Sequence, residues 1–214
     1  MRSGHWAGRA AGVAVSAGLF GLAFPPLRWH VVAWVALVPF FLALRGASAR
    51  LAVALATAWS LLAAYAVGDW MPRAIETYYE QPAMLGWAFF LGVVVSMAAP
   101  YYALFALAAR RITRLHGART WTPLLLAAAW CATELGRGRL LTGSSFFIGN
   151  PWALVGYSQV DWPVAVQTAS LGGVYWVSFA IAAANAGVVG RAPSSSRATA
   201  RAAADCGRGG SCRR

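Results

Sequence analysis

Few residues in this chain have the chemistry to bind or transform anything, and most of them fall in one stretch. Glu134, Arg137 and Arg139 occur in the run TELGRGR, at the end of an apolar segment. A charge in or near hydrocarbon is costly unless it is solvated or paired. On a continued helix, Glu134 and Arg137 are i,i+3 neighbours able to pair. If Gly136 and Gly138 break the helix instead, both arginines face a head group or the phosphate of an acyl lipid. The spacing leaves both readings open. Asn150 and Trp152 follow in GNPW, then Tyr157, Gln159 and Asp161 in GYSQVD. Hydrogen-bonding groups set among aromatics can orient an amide, an ester or a head group. The same composition also makes an aromatic belt with turn residues.

The other constellations are weaker. Glu76 and Glu80 are i,i+4 neighbours, with Arg73 three residues before Glu76 to offset their repulsion; a solvated loop accounts for them. His5, His30 and His116 are far apart in sequence and sit near segment ends, so the sequence predicts no metal site. Cys131 reads as a small buried thiol, and Cys206 and Cys212 lack the neighbours of a zinc ligand set. There is no phosphate-binding glycine loop, no HExxH and no GxSxG, and no cofactor is implied.

Composition defines the frame that must position these residues. Of 214 residues, 59% are hydrophobic and 11% charged, against roughly a quarter charged in an average soluble domain. The mean hydropathy is +0.56. Residues 10–109 hold too few polar groups to cover a soluble fold, so lipid replaces water around much of the chain. The expected fold is all-α, a polytopic transmembrane bundle over residues 1–190. An Arg/Ser/Gly-rich cytoplasmic tail, read as disordered, occupies 191–214.

Six apolar segments are predicted to cross the membrane: 6–24, 29–44 with a kink or early stop at Pro39, 51–67, 83–109 with Pro100 inside it, 121–135, and 164–189. A crossing needs about 20 residues, so the second, third and fifth are short. A signal peptide is the rival for the first, but further hydrophobic segments follow and no cleavage site precedes Pro25. Gly12 and Gly21, with Gly8 and Gly18, are candidates for close helix packing.

All 18 basic residues are arginine, and the net charge is +12. With the N-terminus inside, 14 of the 18 fall on the cytoplasmic side, leaving Arg28, Arg73, Arg137 and Arg139 outside. Five of the six acids fall outside or at the outer boundary. That bias predicts a multi-pass membrane protein with both termini cytoplasmic. It also argues against a nucleic-acid partner, since the arginines mark membrane boundaries rather than one binding face. The outer segment 136–163, rich in Gly, Ser, Asn and Pro but also in aromatics, is expected to insert partly into the membrane.

Three stretches resemble the N-terminal membrane region of the bacterial apolipoprotein N-acyltransferase family. LAFPPLRWHVVAWVALVPFFLAL, over 22–44, is similar to the family's first hairpin. TELGRGRLLTG and NPWALVGYSQVD, within 130–161, are similar to its Glu-x-x-Arg-Gly and Trp-x-x-x-Gly-Tyr-Ser-Gln-x-Asp segments. LGGVYWVSF, over 171–179, is similar to the helix that follows. The resemblance implies transfer of a fatty acyl group from phospholipid to the N-terminal cysteine of a diacylated lipoprotein. The chemistry is implied to lie in a nitrilase-like domain with a Glu-Lys-Cys triad, where a thiolate attacks and a cationic group meets the oxyanion.

This sequence contains no lysine, so it cannot supply that triad, and no catalytic residue is carried over. The implied roles are entry to the acyl-lipid or lipoprotein site and contact with lipid. They fall on Glu134, Arg137, Arg139, Asn150, Trp152, Tyr157, Gln159 and Asp161, with Gly138, Gly143, Pro151, Gly156 and Ser158 shaping the site. The implied partners are phospholipid, a diacylated lipoprotein and a separately encoded nitrilase-like domain. The expectation is a membrane portion without independent catalysis, either a truncated gene product or half of a split enzyme. A non-enzymatic inner-membrane scaffold is the alternative, and a transporter ranks below it because no carboxylate cluster sits mid-segment.

Overall fold

Proline and glycine cut the apolar runs into shorter helices than hydropathy alone suggests. The computed structural model describes residues 3–117, 119–140 and 149–191, and among these the regular structure is helical, with no strand. Of the expected tail 191–214, Arg191 belongs to the last helix, and residues 192–214, with Cys206 and Cys212, lie outside the described residues, as does Gly143.

The first segment forms α1 (Ser3–Leu22). The second, expected over 29–44 with a kink or early stop at Pro39, is broken at Leu37. A 3₁₀ turn (His30–Val32) leads to α2 (Ala33–Ala36) and then α3 (Val38–Leu44). Pro39 sits in the first turn of α3, where its missing N–H leaves no helix bond unmade. Ser48 starts α4 (Ala49–Gly68), its hydroxyl accepting from the Leu51 N–H at 3.3 Å, an N-cap.

The segment read as a solvated loop contains a helix, α5 (Trp70–Tyr79), closed by the exposed Glu80 at φ 52°. Arg73 pairs with Asp69 there, not with Glu76. The fourth segment divides at Ala98 into α6 (Ala83–Met97) and α7 (Ala99–His116). Pro100 disfavours helical continuity through the residues before it. Gly117, at φ 59°, ends α7.

The fifth segment, α8 (Thr122–Arg139), runs on past Leu135, so Gly136 and Gly138 do not break it. The last is shorter than the expected 164–189. A short α9 (Pro163–Gln167) and a 3₁₀ turn (Thr168–Leu171) come first, and α10 (Gly173–Arg191) starts only at Gly173, at φ 66°.

Aromatic rings fill the centre of the bundle. Trp59 of α4 and Trp130 of α8 are almost fully buried, with ring centroids 5.5 Å apart. Phe40 stacks on Trp59 at 5.0 Å, and Phe105 meets Trp130 edge-on at 5.2 Å. The Trp59 indole donates to Ser16 Oγ at 3.0 Å, and that hydroxyl donates to the Ala36 carbonyl at 2.6 Å. Three helices are thereby tied through one polar relay. Small residues permit the contacts: a Cβ on Gly21 would lie 2.6 Å from Ala66 Cβ, and one on Gly12 would lie 3.1 Å from the Pro39 carbonyl oxygen. Gly8 and Gly18 face open space instead. With Val13, Ala17 and Phe20 in the core, α1 is an integral wall of the bundle.

Among the described residues, three helical stretches are long and apolar enough to cross a membrane: Ala49–Gly68, Ala83–His116 and Gly173–Arg191. The six expected crossings are thus met in part. Only 39% of each of these apolar windows is buried within the protein. The remainder presents Leu62, Trp87, Phe89, Leu91, Leu104 and Val188 outward.

Candidate functional site

The candidate residues gather where α8 ends and α10 begins. Continuation of α8 through Gly136 and Gly138 turns Glu134, Arg137 and Gly138 inward, and all three are buried. Gly138 is required by a close approach: a Cβ there would crowd Pro151 and the Tyr175 hydroxyl at 3.2 Å.

Glu134 does not form the expected ion pair with Arg137; the two ion pairs among the described residues are Arg28–Asp161 and Arg73–Asp69. Its Oε1 accepts instead from the Trp130 indole N–H at 2.9 Å and from the Val155 backbone N–H at 2.8 Å. Oε2 is buried without a hydrogen-bond partner. The carboxylate therefore fastens the returning segment 149–162 to α8. A buried acceptor shared by two donors is a strong anchor, because losing it strands both of them.

Arg137 lies one turn further on. Its guanidinium sits over the Tyr102 ring at 5.7 Å, and its Nε and Nη2 are buried without partners. Arg137 and Tyr102 border a cavity of about 30 Å³ that Asn150, Trp152 and Trp59 also line. That volume holds one or two waters, and a polar wall makes hydration favourable. The Arg137 carbonyl accepts from the Asn150 N–H at 2.8 Å, and Asn150 Oδ1 accepts from the Trp152 N–H at 3.3 Å. Trp152 then leans on Gly68 and meets Trp70 at 6.3 Å.

Gln159 is the second anchor and is fully buried. Its Oε1 accepts from the Trp34 indole at 3.2 Å, while Nε2 donates to the His30 carbonyl at 2.9 Å and to Ser158 Oγ at 2.7 Å. The 3₁₀ turn Val155–Gln159 is thus locked to the broken second segment. Gly156 lies against α10, its N–H donating to Ser178 Oγ at 3.0 Å, and a Cβ there would meet the Val174 carbonyl oxygen at 2.5 Å.

Glu134, Arg137, Asn150, Trp152 and Gln159 therefore form one buried or half-buried network. The other three candidates are not part of it. Arg139, Tyr157 and Asp161 are exposed, and Asp161 pairs with Arg28 at 3.4 Å. Sequence reasoning missed Trp34, Trp130 and Ser178. Trp130 had a readable signal, since a buried indole needs an acceptor and Glu134 is four residues on. It also missed Asn185 of α10, a lone amide in an apolar run. Its Oδ1 accepts from the Leu37 and Val38 N–H groups at 2.9 and 3.1 Å, and Nδ2 donates to the Ala33 and Ile181 carbonyls.

A broken helical hairpin closed by a buried Glu–Trp and Gln–Trp clasp defines a helical membrane-type scaffold around an anchored loop, and comparison with known proteins assigns its lineage. The family model for the apolipoprotein N-acyltransferase N-terminal domain matches residues 16–187, and the chain belongs to that family. It is 33% identical over 173 residues to the apolipoprotein N-acyltransferase of Geobacter metallireducens, covering 80% of this chain and 31% of the relative. The enzymes of that name from Pseudomonas syringae pv. tomato and Azotobacter vinelandii are 34% and 35% identical, covering 82% and 83% of this chain and 33% of each relative. The chain spans about a third of the length of the curated relatives it matches.

Proposed function

We propose that this chain is the membrane portion of an apolipoprotein N-acyltransferase-like system, holding segment 149–162 as one wall of the site where a phospholipid donor meets a diacylated lipoprotein. The observation that carries the reading is the Glu134 clasp, which fastens segment 149–162 to α8 within the stretch 130–161 that carries the most specific resemblance to the family. Glu134, Arg137, Asn150 and Gln159 act as positioning residues. Arg139, Trp152, Tyr157 and Asp161 supply the contact with lipid or lipoprotein. The nucleophile and oxyanion donors belong to a nitrilase-like region outside these 214 residues. Lysine is absent from the sequence, and the described residues hold no cluster of candidate metal ligands.

The same reading embeds the bundle in the bacterial inner membrane with six traversing segments and both termini cytoplasmic. Support comes from the distribution of 14 of 18 arginines on one side. The stretch Ala83–His116, divided at Ala98 into α6 and α7, has 34 residues and rises at most about 51 Å at 1.5 Å per residue. It therefore overshoots the hydrocarbon and carries Arg110, Arg111 and Arg114 into the head groups.

Reconstitution tests the assignment. The purified chain in phospholipid vesicles is expected to leave a diacylated lipopeptide unmodified, as read by peptide mass. Addition of a nitrilase-like region from a relative should produce the third acyl chain, and Glu134→Ala should lower that rate by about tenfold or more through lost positioning. Turnover by the chain alone would refute the placement of the chemistry elsewhere. Unchanged lipoprotein N-termini after deletion of the gene would refute a role in the pathway.

A further inference from the structure

The end of the bundle opposite Glu134 and Gln159 holds a second cavity, larger than the first and of different chemistry. It measures about 670 Å³ and lies between the C-terminal ends of α3, α7 and α10 and the N-terminus of α8. Arg45, Arg110, Arg114, Arg119 and Arg191 line it, and none of the described lining residues is acidic. Both ion pairs among the described residues are made elsewhere, by Arg28 and Arg73. Five guanidinium groups therefore share one concavity, and Arg110, Arg114, Arg119 and Arg191 form no ion pair among the described residues. Like charges held together in this way repel one another unless an anion joins them.

The arginines are arranged rather than merely abundant. Arg45 Nη1 donates to the Val189 carbonyl at 3.2 Å, and Arg110 Nε donates to the Ala47 carbonyl at 3.0 Å. Arg119 lies over the Trp121 ring at 5.4 Å. Backbone and ring thus orient three of the five, which reduces the entropy each would lose on binding. A further observation is independent of charge. Thr122, at the first turn of α8, lines the cavity and is buried to 6% exposure, yet its hydroxyl has no hydrogen-bond partner. A buried hydroxyl left unmatched is costly unless a ligand completes it. Phe41, Leu126 and Ala186 give the same cavity an apolar floor.

We propose that this cavity binds a phosphate-bearing anion, with Arg110, Arg114 and Arg119 on the phosphate oxygens, Thr122 as an additional donor, and the apolar floor against the carbon skeleton. Its volume suits a small ligand or a lipid head group with its glycerol. Basic pockets between helices at the cytoplasmic side are the expected form of an anionic-lipid site. The chain beyond residue 191 is a poor occupant on charge, since it carries five arginines against Asp205 as its one acidic side chain. The proposal stands apart from the acyl-transfer reading, because it uses none of the residues of the clasp.

Two arms separate the sources of the phosphate. The full chain is reconstituted in nanodiscs of phosphatidylcholine, with and without phosphatidylglycerol, and retained lipid is counted by native mass spectrometry. In parallel, inorganic pyrophosphate is titrated onto the chain in phosphatidylcholine alone. The wild type is expected to bind one of the two, and Arg114→Ala with Arg119→Ala should weaken it roughly 10- to 30-fold. Both side chains are exposed, so the melting temperature in neutral lipid should stay unchanged. Arg50→Ala with Arg73→Ala, two exposed arginines that do not line the cavity, should leave binding intact. Thr122→Val tests the neutral donor and should weaken binding severalfold without removing charge. Retention of phosphatidylglycerol lost in the double variant identifies a lipid head group, and pyrophosphate binding lost in the same variant identifies a soluble phosphate. Absence of binding in both arms, or equal loss from the two double variants, would overturn the proposal.

Discussion

Two side chains decide how the irregular backbone of this protein is satisfied. Glu134 meets one indole and one amide, and Asn185 serves the break between α2 and α3, where its carboxamide spans the gap between the Leu37 and Val38 N–H groups and the Ala33 carbonyl. In an apolar bundle there is no water to take over these groups. Asn185→Ala is therefore expected to cost about 1–3 kcal/mol for the stranded groups, read as a lowered melting temperature in detergent. Asn185→Asp keeps the two accepted bonds and loses the donated ones, so its cost should reflect the Ala33 and Ile181 carbonyls together with burial of a charge. Equal stability of Asn185→Ala and the wild type would show that the break holds itself.

At the scale of elements, close approach rather than hydrophobicity sets the contacts. Lipid is as apolar as a leucine side chain, so helices associate through packing and hydrogen bonds. Gly156 is the tightest point between the anchored segment and α10, where an added Cβ would lie 2.5 Å from backbone oxygen. Gly156→Val should push the 3₁₀ turn off α10 and separate Val155 from Glu134. Proteolysis between residues 149 and 162 should then speed up, while Gly18→Ala, at a position facing open space, should leave the digestion pattern unchanged. Trp59 and Trp130 make the complementary argument, since their rings and indole donors join α1, α4 and α8 at once.

For the molecule as a whole, the arrangement is polar and asymmetric. One end holds the arginine-lined cavity, and the other holds Asp161 in the anchored segment and Asp69 beside Gly68, which Trp152 of that segment approaches. On the proposed topology, α4 connects the two sides. In a cysteine-free background, Thr77→Cys should react with a membrane-impermeant maleimide on intact spheroplasts, and Ser48→Cys should react only after permeabilisation. Labelling of both positions from one side would remove α4 as a crossing, and the reverse pattern would invert the orientation.

The sequence by itself determined the helical class, the family, and the stretch that carries the candidate site. Each of these rests on composition or on the order of residue types, as in TELGRGR and GYSQVD. It also marked Pro39 as a point of interruption, because a missing N–H is a local property. Tertiary structure decided what those residues do. Glu134 and Arg137 looked like an i,i+3 pair, but the segment returning twenty residues later supplied Glu134 with a backbone donor, and the pairing changed. Gly136 and Gly138 looked like helix breakers, yet α8 runs through them and Gly138 is the point where Pro151 packs. The arginines that read as markers of membrane sidedness converge from four separate segments onto one cavity. Partners distant in sequence leave no trace in local spacing, so only the packed bundle could show which polar groups meet.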